Sequence, residues 1–249
     1  MLRVGVFGAG GRMGATVCGA VAEDSELELA GAVDPAHAGE SVCGVSITDR
    51  MPKVDVVVDF TQAGAARGNI LWAAENAVHA VVGTTGLGAD DFERFATVFT
   101  DSNCFIAPNF AIGAVLMMRL AELAAPYFET AEIIEFHHDA KRDAPSGTAM
   151  LTAERMASAK ASWGADPTEQ EVVAGSRGGE GPAGIHVHAV RMRGMVAHQE
   201  IILGTTGQTL TIRHDTTDRS SFMPGVLLAV KNVMHQQGVT IGLDSLLDL

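Results

Sequence analysis

Positive charge is what this chain has least of. Seventeen Lys and Arg face thirty Asp and Glu, for a formal net charge of -13. So acidic a chain is poorly suited to nucleic acid or to anionic membrane surfaces, and neither is expected as a partner. Long apolar runs are missing too, since nothing approaches the roughly 20 unbroken apolar residues that span a bilayer. The run from Met1 to Phe7 is short and meets a glycine-rich turn at once, so it lacks the layout of a signal peptide. A cytoplasmic location is the expectation. Cys18, Cys43 and Cys104 are widely spaced, odd in number and form no CxxC, which offers neither a disulfide framework nor a zinc site. Aromatics make up only 5% of residues, unlike a binding surface rich in Tyr and Trp.

Apolar residues are plentiful, at 47%, and 249 residues can form two modest domains. Strand and helix patterns alternate through the first part. Leu2–Phe7, Leu27–Val33, Val54–Asp59, His79–Val82 and Cys104–Ala107 read as strands, with helices between them. Val54–Asp59 (VDVVVD) is apolar on both faces, as a central parallel strand must be. This rhythm predicts an α/β fold: a Rossmann-like, doubly wound parallel sheet. After a long helical pattern over Ile112–Phe128, the segments Ala131–Phe136, Ile185–Met192, Ala197–Leu203 and Thr209–His214 read as strands, with a helix over Gly147–Ser162. The last three of these strands follow one another without helices, which suggests a second α+β domain on a separate mixed or antiparallel sheet. The helical run Pro224–His235 is expected to return to the first domain. The expected division is 1–112 with 221–249 for dinucleotide binding, and 113–220 for substrate binding and oligomerisation.

The segment Val4–Gly14 reads VGVFGAGGRMG. Gly8 allows the tight turn, Gly10 and Gly11 let backbone approach a pyrophosphate, and Gly14 permits close helix–sheet packing. Met13 breaks the strict GxGxxG spacing, and alone such a loop could be an ordinary turn. Asp34, twenty residues after Gly14, ends the second strand, where an acid would accept hydrogen bonds from the adenosine ribose of NAD. A turn-forming Asp before Pro35 is the plain alternative. No Arg stands at position 35 to favour a 2′-phosphate, although Arg12 could partly substitute. NADH is therefore expected to be preferred and NADPH tolerated. Gly83-Thr84-Thr85 and Ala107-Pro108-Asn109-Phe110 fall at carboxyl ends of parallel strands, where doubly wound sheets bind ligands.

A second constellation, Glu135–Thr148, reads EFHHDAKRDAPSGT. Gly147 and Thr148 open a helix whose N–H groups would suit a carboxylate. Lys141 and Arg142 add positive charge, and His137 can serve in acid–base chemistry near neutral pH. Ser146 caps the helix on the plain reading. No metal is expected, because His137 and His138 are strand neighbours and cannot both face one ion.

These motifs, with VVVDFT (Val56–Thr61), VVGTTG (Val81–Gly86), APNFAIG (Ala107–Gly113) and DRSSF (Asp218–Phe222), resemble the 4-hydroxy-tetrahydrodipicolinate (dihydrodipicolinate) reductase family. The likeness runs in order over almost the whole chain. HH-x-x-K with DAPSGT is its most specific part. The resemblance implies an oxidoreductase of lysine and diaminopimelate biosynthesis, assembled as a homotetramer through the mixed sheet. It implies NADH or NADPH along Gly8, Ala9, Gly10, Gly11, Arg12, Met13, Asp34, Gly83–Thr85 and Ala107–Phe110. A small dicarboxylate would be held by His138, Lys141, Gly147 and Thr148. His137 and Lys141 would be the acid–base residues, with Lys141 the direct proton donor. Arg219 and Phe222 match a motif that approaches the nicotinamide from the second domain. Another small Rossmann amino-acid or semialdehyde dehydrogenase would explain the glycine loop but not HH-x-x-K with SGT. A nucleotide-sensing domain would explain neither His137 nor Lys141.

Overall fold

The computed structural model describes residues 1–247. Chain order gives β1 (Leu2–Phe7), α1 (Arg12–Glu23), β2 (Leu27–Val33), β3 (Ser41–Val42), β4 (Val45–Thr48), β5 (Val56–Asp59), α2 (Ala63–Glu75), β6 (His79–Val82), α3 (Ala89–Val98) and β7 (Cys104–Ile106). There follow α4 (Ile112–Ala124), β8 (Thr130–His137), α5 (Gly147–Ala159), β9 (Gly179–Glu180), β10 (His186–Arg191), β11 (Ala197–Thr205) and β12 (Gln208–Thr216). The chain ends with α6 (Met223–Asn232) and β13 (Val239–Ile241). It divides into two units, Met1–Ile112 with Arg219–Leu249, and Gly113–Asp218.

The first unit holds an eight-stranded sheet in the order β13-β7-β6-β5-β1-β2-β4-β3. All its pairs are parallel except β3 with β4. Every residue of β5 is buried, which is why VVVD carries no alternation. The chain leaves β1 for β2 on one side and resumes at β5 on the other. The carboxyl ends of β1 and β5 thus flank the topological switch point, where open α/β sheets bind ligands. Two edge extensions escape the sequence pattern. The β3–β4 hairpin turns on Cys43 and Gly44, both at positive φ, and β13 has only three residues.

The second unit holds a five-stranded mixed sheet, β12-β11-β8-β10-β9. β8 lies parallel to β10 and antiparallel to β11. Ile133, Ile201 and Leu203 are fully buried, as are Ala149, Ala153 and Met156 on α5. The predicted helix over Ile112–Phe128 stops at Ala124 and tightens to a 3₁₀ turn over Ala125–Tyr127. Pro126, lacking an N–H, cannot continue the α-helical ladder. The polar stretch after α5 is tied to the sheet by Arg177, which pairs with Glu132 at 2.7 Å and Asp166 at 3.1 Å.

Gly14 shows how tightly α1 is seated. A Cβ there would stand 2.0 Å from the Gly8 carbonyl oxygen, a backbone atom with nowhere to go. Gly14→Ala should therefore destabilise the first unit by about 1–3 kcal/mol or more. Denaturant unfolding checks this, and wild-type stability would show that the helix can slide without loss.

Candidate active site

In the first unit, β1 ends and the chain reverses at Gly8, whose φ is +74°. Gly8 and Ala9 donate their N–H groups to the Val33 carbonyl at 2.7 and 3.2 Å, which locks the loop to the end of β2. Gly11 is the N-cap of α1 and supplies no side-chain cap, and the first turn carries no acid. Backbone donors and the positive end of the helix dipole are thus left for an anionic ligand, as a pyrophosphate requires. A cleft of about 1050 Å³ opens here, lined by Gly8, Gly11, Arg12, Met13, Asp34 and Pro35, with Phe60, Thr61 and Gln62 after β5.

Asp34 does more than face the cleft. One carboxylate oxygen accepts the Gly10 N–H at 3.2 Å and the other accepts the Ala36 N–H at 3.1 Å. The same side chain therefore caps the turn before Pro35 and steadies the glycine loop. Ala9, Thr84, Ala107 and Phe110 are buried. Phe110 packs on Phe60 and Phe105, with ring centroids 5.7 and 6.3 Å away. Thr84 donates its hydroxyl to Asp59 at 2.7 Å. Gly83, Thr85, Pro108 and Asn109 stand at the same strand ends, and none of Gly83–Thr85 or Ala107–Phe110 lines the cleft itself.

Two lining residues, and one buried acid that holds lining residues in place, went unassigned or were placed differently by the sequence. Asp59, 2% exposed, gathers the Thr61 N–H and hydroxyl, the Thr84 hydroxyl and the Asn69 amide. Its position at the end of an apolar strand was the signal. Arg50 lines the cleft from the turn after β4, where no motif marks it. Arg219 also lines it, from a 3₁₀ turn belonging to the first unit. The expectation that this motif approaches from the second domain is corrected, because the chain has already returned at Arg219.

In the second unit, β8 delivers His137 as its last residue and His138 just beyond. The alternation that buries Ala131 and Ile133 also buries Glu135, whose side chain is 0% exposed. Glu135 Oε2 lies 2.5 Å from His137 Nδ1, and Arg191 grips both carboxylate oxygens at 2.7 Å. Glu135 also accepts the Ser146 N–H at 3.0 Å. Burial alone would raise its pKa, but the hydrogen bonds and charges of His137 and Arg191 prevail and hold it at about 2.

Lys141 folds back in a turn, donating its N–H to the His138 carbonyl at 3.1 Å. Its Nζ meets both oxygens of Asp143 at 2.9 and 2.8 Å. That bond lowers the Asp143 pKa. Ser146 caps α5 by accepting the Ala149 N–H at 3.2 Å, and Gly147 and Thr148 are the first two helical residues. Gln199 donates to Thr152, which donates to the Thr148 carbonyl, each at 2.7 Å. His137, His138, Lys141 and the start of α5 thus belong to one short loop system. Among the described residues, no group of three or more His, Cys, Asp or Glu is placed to hold a metal ion. No helix among them is long and apolar enough to cross a membrane.

Fold and sites define a class of NAD(P)H-dependent oxidoreductase: a Rossmann-type unit joined to a unit with a cationic, imidazole-bearing loop at a helix start. Residues 2–110 match the family described as dihydrodipicolinate reductase, N-terminus, and residues 113–247 match its C-terminus. The chain belongs to the dihydrodipicolinate reductase family. It is 47% identical over 256 residues to the 4-hydroxy-tetrahydrodipicolinate reductase of Corynebacterium urealyticum, with 100% of both chains covered. It is 45% identical to that of Cutibacterium acnes, again over 100% of both. The dipicolinate-bound dihydrodipicolinate reductase from Paenisporosarcina sp. TG-14 superposes with a TM-score of 0.85 at 36% identity, covering 98% of this chain and 99% of that one.

The depressed Glu135 pKa fixes the sign of an acid response. The unfolded group titrates near the ordinary glutamate value of 4.5 and the folded one at about 2. The unfolded state therefore binds more protons between those values, and stability falls as pH drops through the window. Glu135→Gln should unfold at lower temperature than wild type at pH 6, and the gap should narrow below pH 4.5. Melting curves at pH 6 and pH 3 measure it, and a constant gap would show that this carboxylate does not titrate in the window.

Proposed function

We propose that this chain reduces 4-hydroxy-tetrahydrodipicolinate to tetrahydrodipicolinate with one hydride from NAD(P)H and one proton, the 4-hydroxyl leaving as water, in the diaminopimelate route to lysine. The observation that carries the reading is the loop from His137 to Thr148. It places an imidazole braced by a buried carboxylate, an ammonium and a helix N-terminus within one short segment. The names of the full-length relatives support the same reaction, and the dipicolinate-bound relative supports a planar dicarboxylate as ligand. Oxidation of NADH by purified protein, with substrate formed in place from pyruvate and aspartate semialdehyde, tests it. No oxidation above background would remove the reading.

A dinucleotide would be held at the glycine loop, with the uncapped start of α1 offering donors to its pyrophosphate and Asp34 an acceptor to its ribose. NAD(P)H bound there supplies the hydride. The chain's own residues do the rest. Gly147 and Thr148, with His138, bind the substrate carboxylates. Lys141 places a cation where negative charge develops and delivers a proton from Nζ. His137 orients that proton transfer and restores it. The Lys141–Asp143 pair does not oppose this role: the Lys141 side chain is 19% exposed, but its partner Asp143 is 66% exposed and open to replacement from the solvent side. A dianionic substrate can therefore take Asp143's place. The proposed assembly is a homotetramer on the second sheet, whose outermost strand β12 leaves Gln208–Thr211 exposed. A cytoplasmic location accords with this biosynthetic role.

Removing a positioned general acid typically costs on the order of 10²–10⁴ in rate. Lys141→Ala should lose at least about a hundredfold in kcat, and His137→Ala somewhat less, while NADH affinity stays near normal. Steady-state rates and calorimetry give both numbers. A Lys141→Ala enzyme with wild-type kcat at saturating substrate would sink the mechanism.

Asp34 tests the proposed NADH preference. Its carboxylate braces Gly10, so Asp34→Ala should weaken both nucleotides through the loosened loop. NADH should lose about tenfold more than NADPH, roughly 1.4 kcal/mol. The reason is that Arg12 and Arg50 remain to meet a 2′-phosphate. Equal losses by calorimetry would count against ribose recognition.

A further inference from the structure

One buried group in the second unit has no place in the reaction described so far. Glu135 touches no solvent, yet it is charged and serves partners on three segments. Its Oε2 accepts from His137 Nδ1 and Arg191 Nη1, and its Oε1 accepts from Arg191 Nη2 and the Ser146 N–H. Arg191 stands opposite His137 in the β8–β10 register, so it grips the carboxylate from the neighbouring strand. It also donates to the Asp143 carbonyl at 2.7 Å, which anchors the loop that carries Lys141.

A bidentate arginine alone would neutralise a buried glutamate. As structure, such a pair is often replaceable by apolar side chains without loss. What it could not then do is hold an imidazole. An ionised carboxylate has lone pairs and no proton, so the hydrogen bond to His137 requires the proton on Nδ1. Neutral His137 is thereby held as one tautomer, and Nε2 is the nitrogen left to accept a proton.

We infer that Glu135, locked by Arg191, is the positioning residue of this site, fixing the tautomer of His137 and tying it to the Lys141 loop and the start of α5. The inference rests on the acid–base reading of His137 and Lys141 given above. Because Glu135 acts through His137 and the loop, its removal should not cost more than removal of the groups it positions.

The test is the ring-nitrogen NMR of the full-length protein labelled with ¹⁵N-histidine, with the His137 signal identified by its loss in His137→Ala. Neutral wild-type His137 should show the Nδ1-protonated pattern. Glu135→Gln should lose that preference, because an amide can donate as well as accept. Its kcat should fall about tenfold or more, yet no further than that of the weaker of Lys141→Ala and His137→Ala. NADH affinity should be unchanged. A wild-type Nε2-protonated pattern would overturn the inference, even if Glu135→Gln failed to fold. So would wild-type kcat in Glu135→Gln, or a fall in kcat with the tautomer intact. If His137→Ala keeps full turnover, the acid–base reading of His137 fails. If His137→Ala is impaired and Glu135→Gln is not, only the positioning role fails.

Discussion

A carboxylate taken out of water destabilises a fold by several kcal/mol unless its lone pairs are met. Each unit of this protein is organised around one. In the first, Asp59 ends β5 and collects donors from Thr61, Thr84 and Asn69. It thereby joins two neighbouring strand ends and the helix that follows β5. In the second, Glu135 does the same for the end of β8, the end of β10 and the start of α5. Loops at strand ends are the mobile part of such folds. A buried acceptor with several fixed donors gives them one geometry, since displacing any donor leaves a charge partly unmet in a poorly solvated place.

Charge elsewhere follows from the same scarcity of cations. Arg67, Arg119, Arg177, Arg213 and Lys231 are spent on local ion pairs with Asp or Glu. Arg12, Arg50 and Arg219 have no such pair among the described residues, and all three line the cleft proposed for the dinucleotide. A protein with a formal charge of -13 repels anions at long range. Its anionic ligands must therefore be met at short range by unpaired guanidinium groups and backbone donors.

Much of the fold was legible because its signals are local. β1, β2 and β6 begin and end where the apolar runs do, since buried parallel strands need no alternation and glycine or a polar residue stops them. β3 and β4 were not legible: they are two and four residues long, and their turn uses Cys43, which is not a turn-forming residue type. The glycine loop and the HH-x-x-K segment were legible because each is contiguous. Arg191 was not, because only the pairing of β8 with β10 brings it to Glu135, 56 positions away. Glu135 itself left a trace. Ala131, Ile133 and Glu135 share one face of β8, and a glutamate continuing a buried apolar face must have a partner.

The contrast between Glu135 and Asp143 shows how one loop can be both fixed and ready. Both acids bind a side chain proposed to take part in the reaction. Glu135 is sealed in the sheet, and the hydrogen bonds and charges of His137 and Arg191 keep its pKa well below the usual carboxylate value, so it holds His137 as an ionised, solvent-shielded partner. Asp143 sits at the surface, 66% exposed, so the carboxylate on the Lys141 ammonium can swing away into water. The imidazole is thus held by a partner that cannot leave, and the ammonium by one that is easily displaced. A substrate carrying two carboxylates needs that asymmetry. It must find the ammonium available, and it must find the imidazole already in place, because ordering a ring only as the substrate arrives would take free energy from binding.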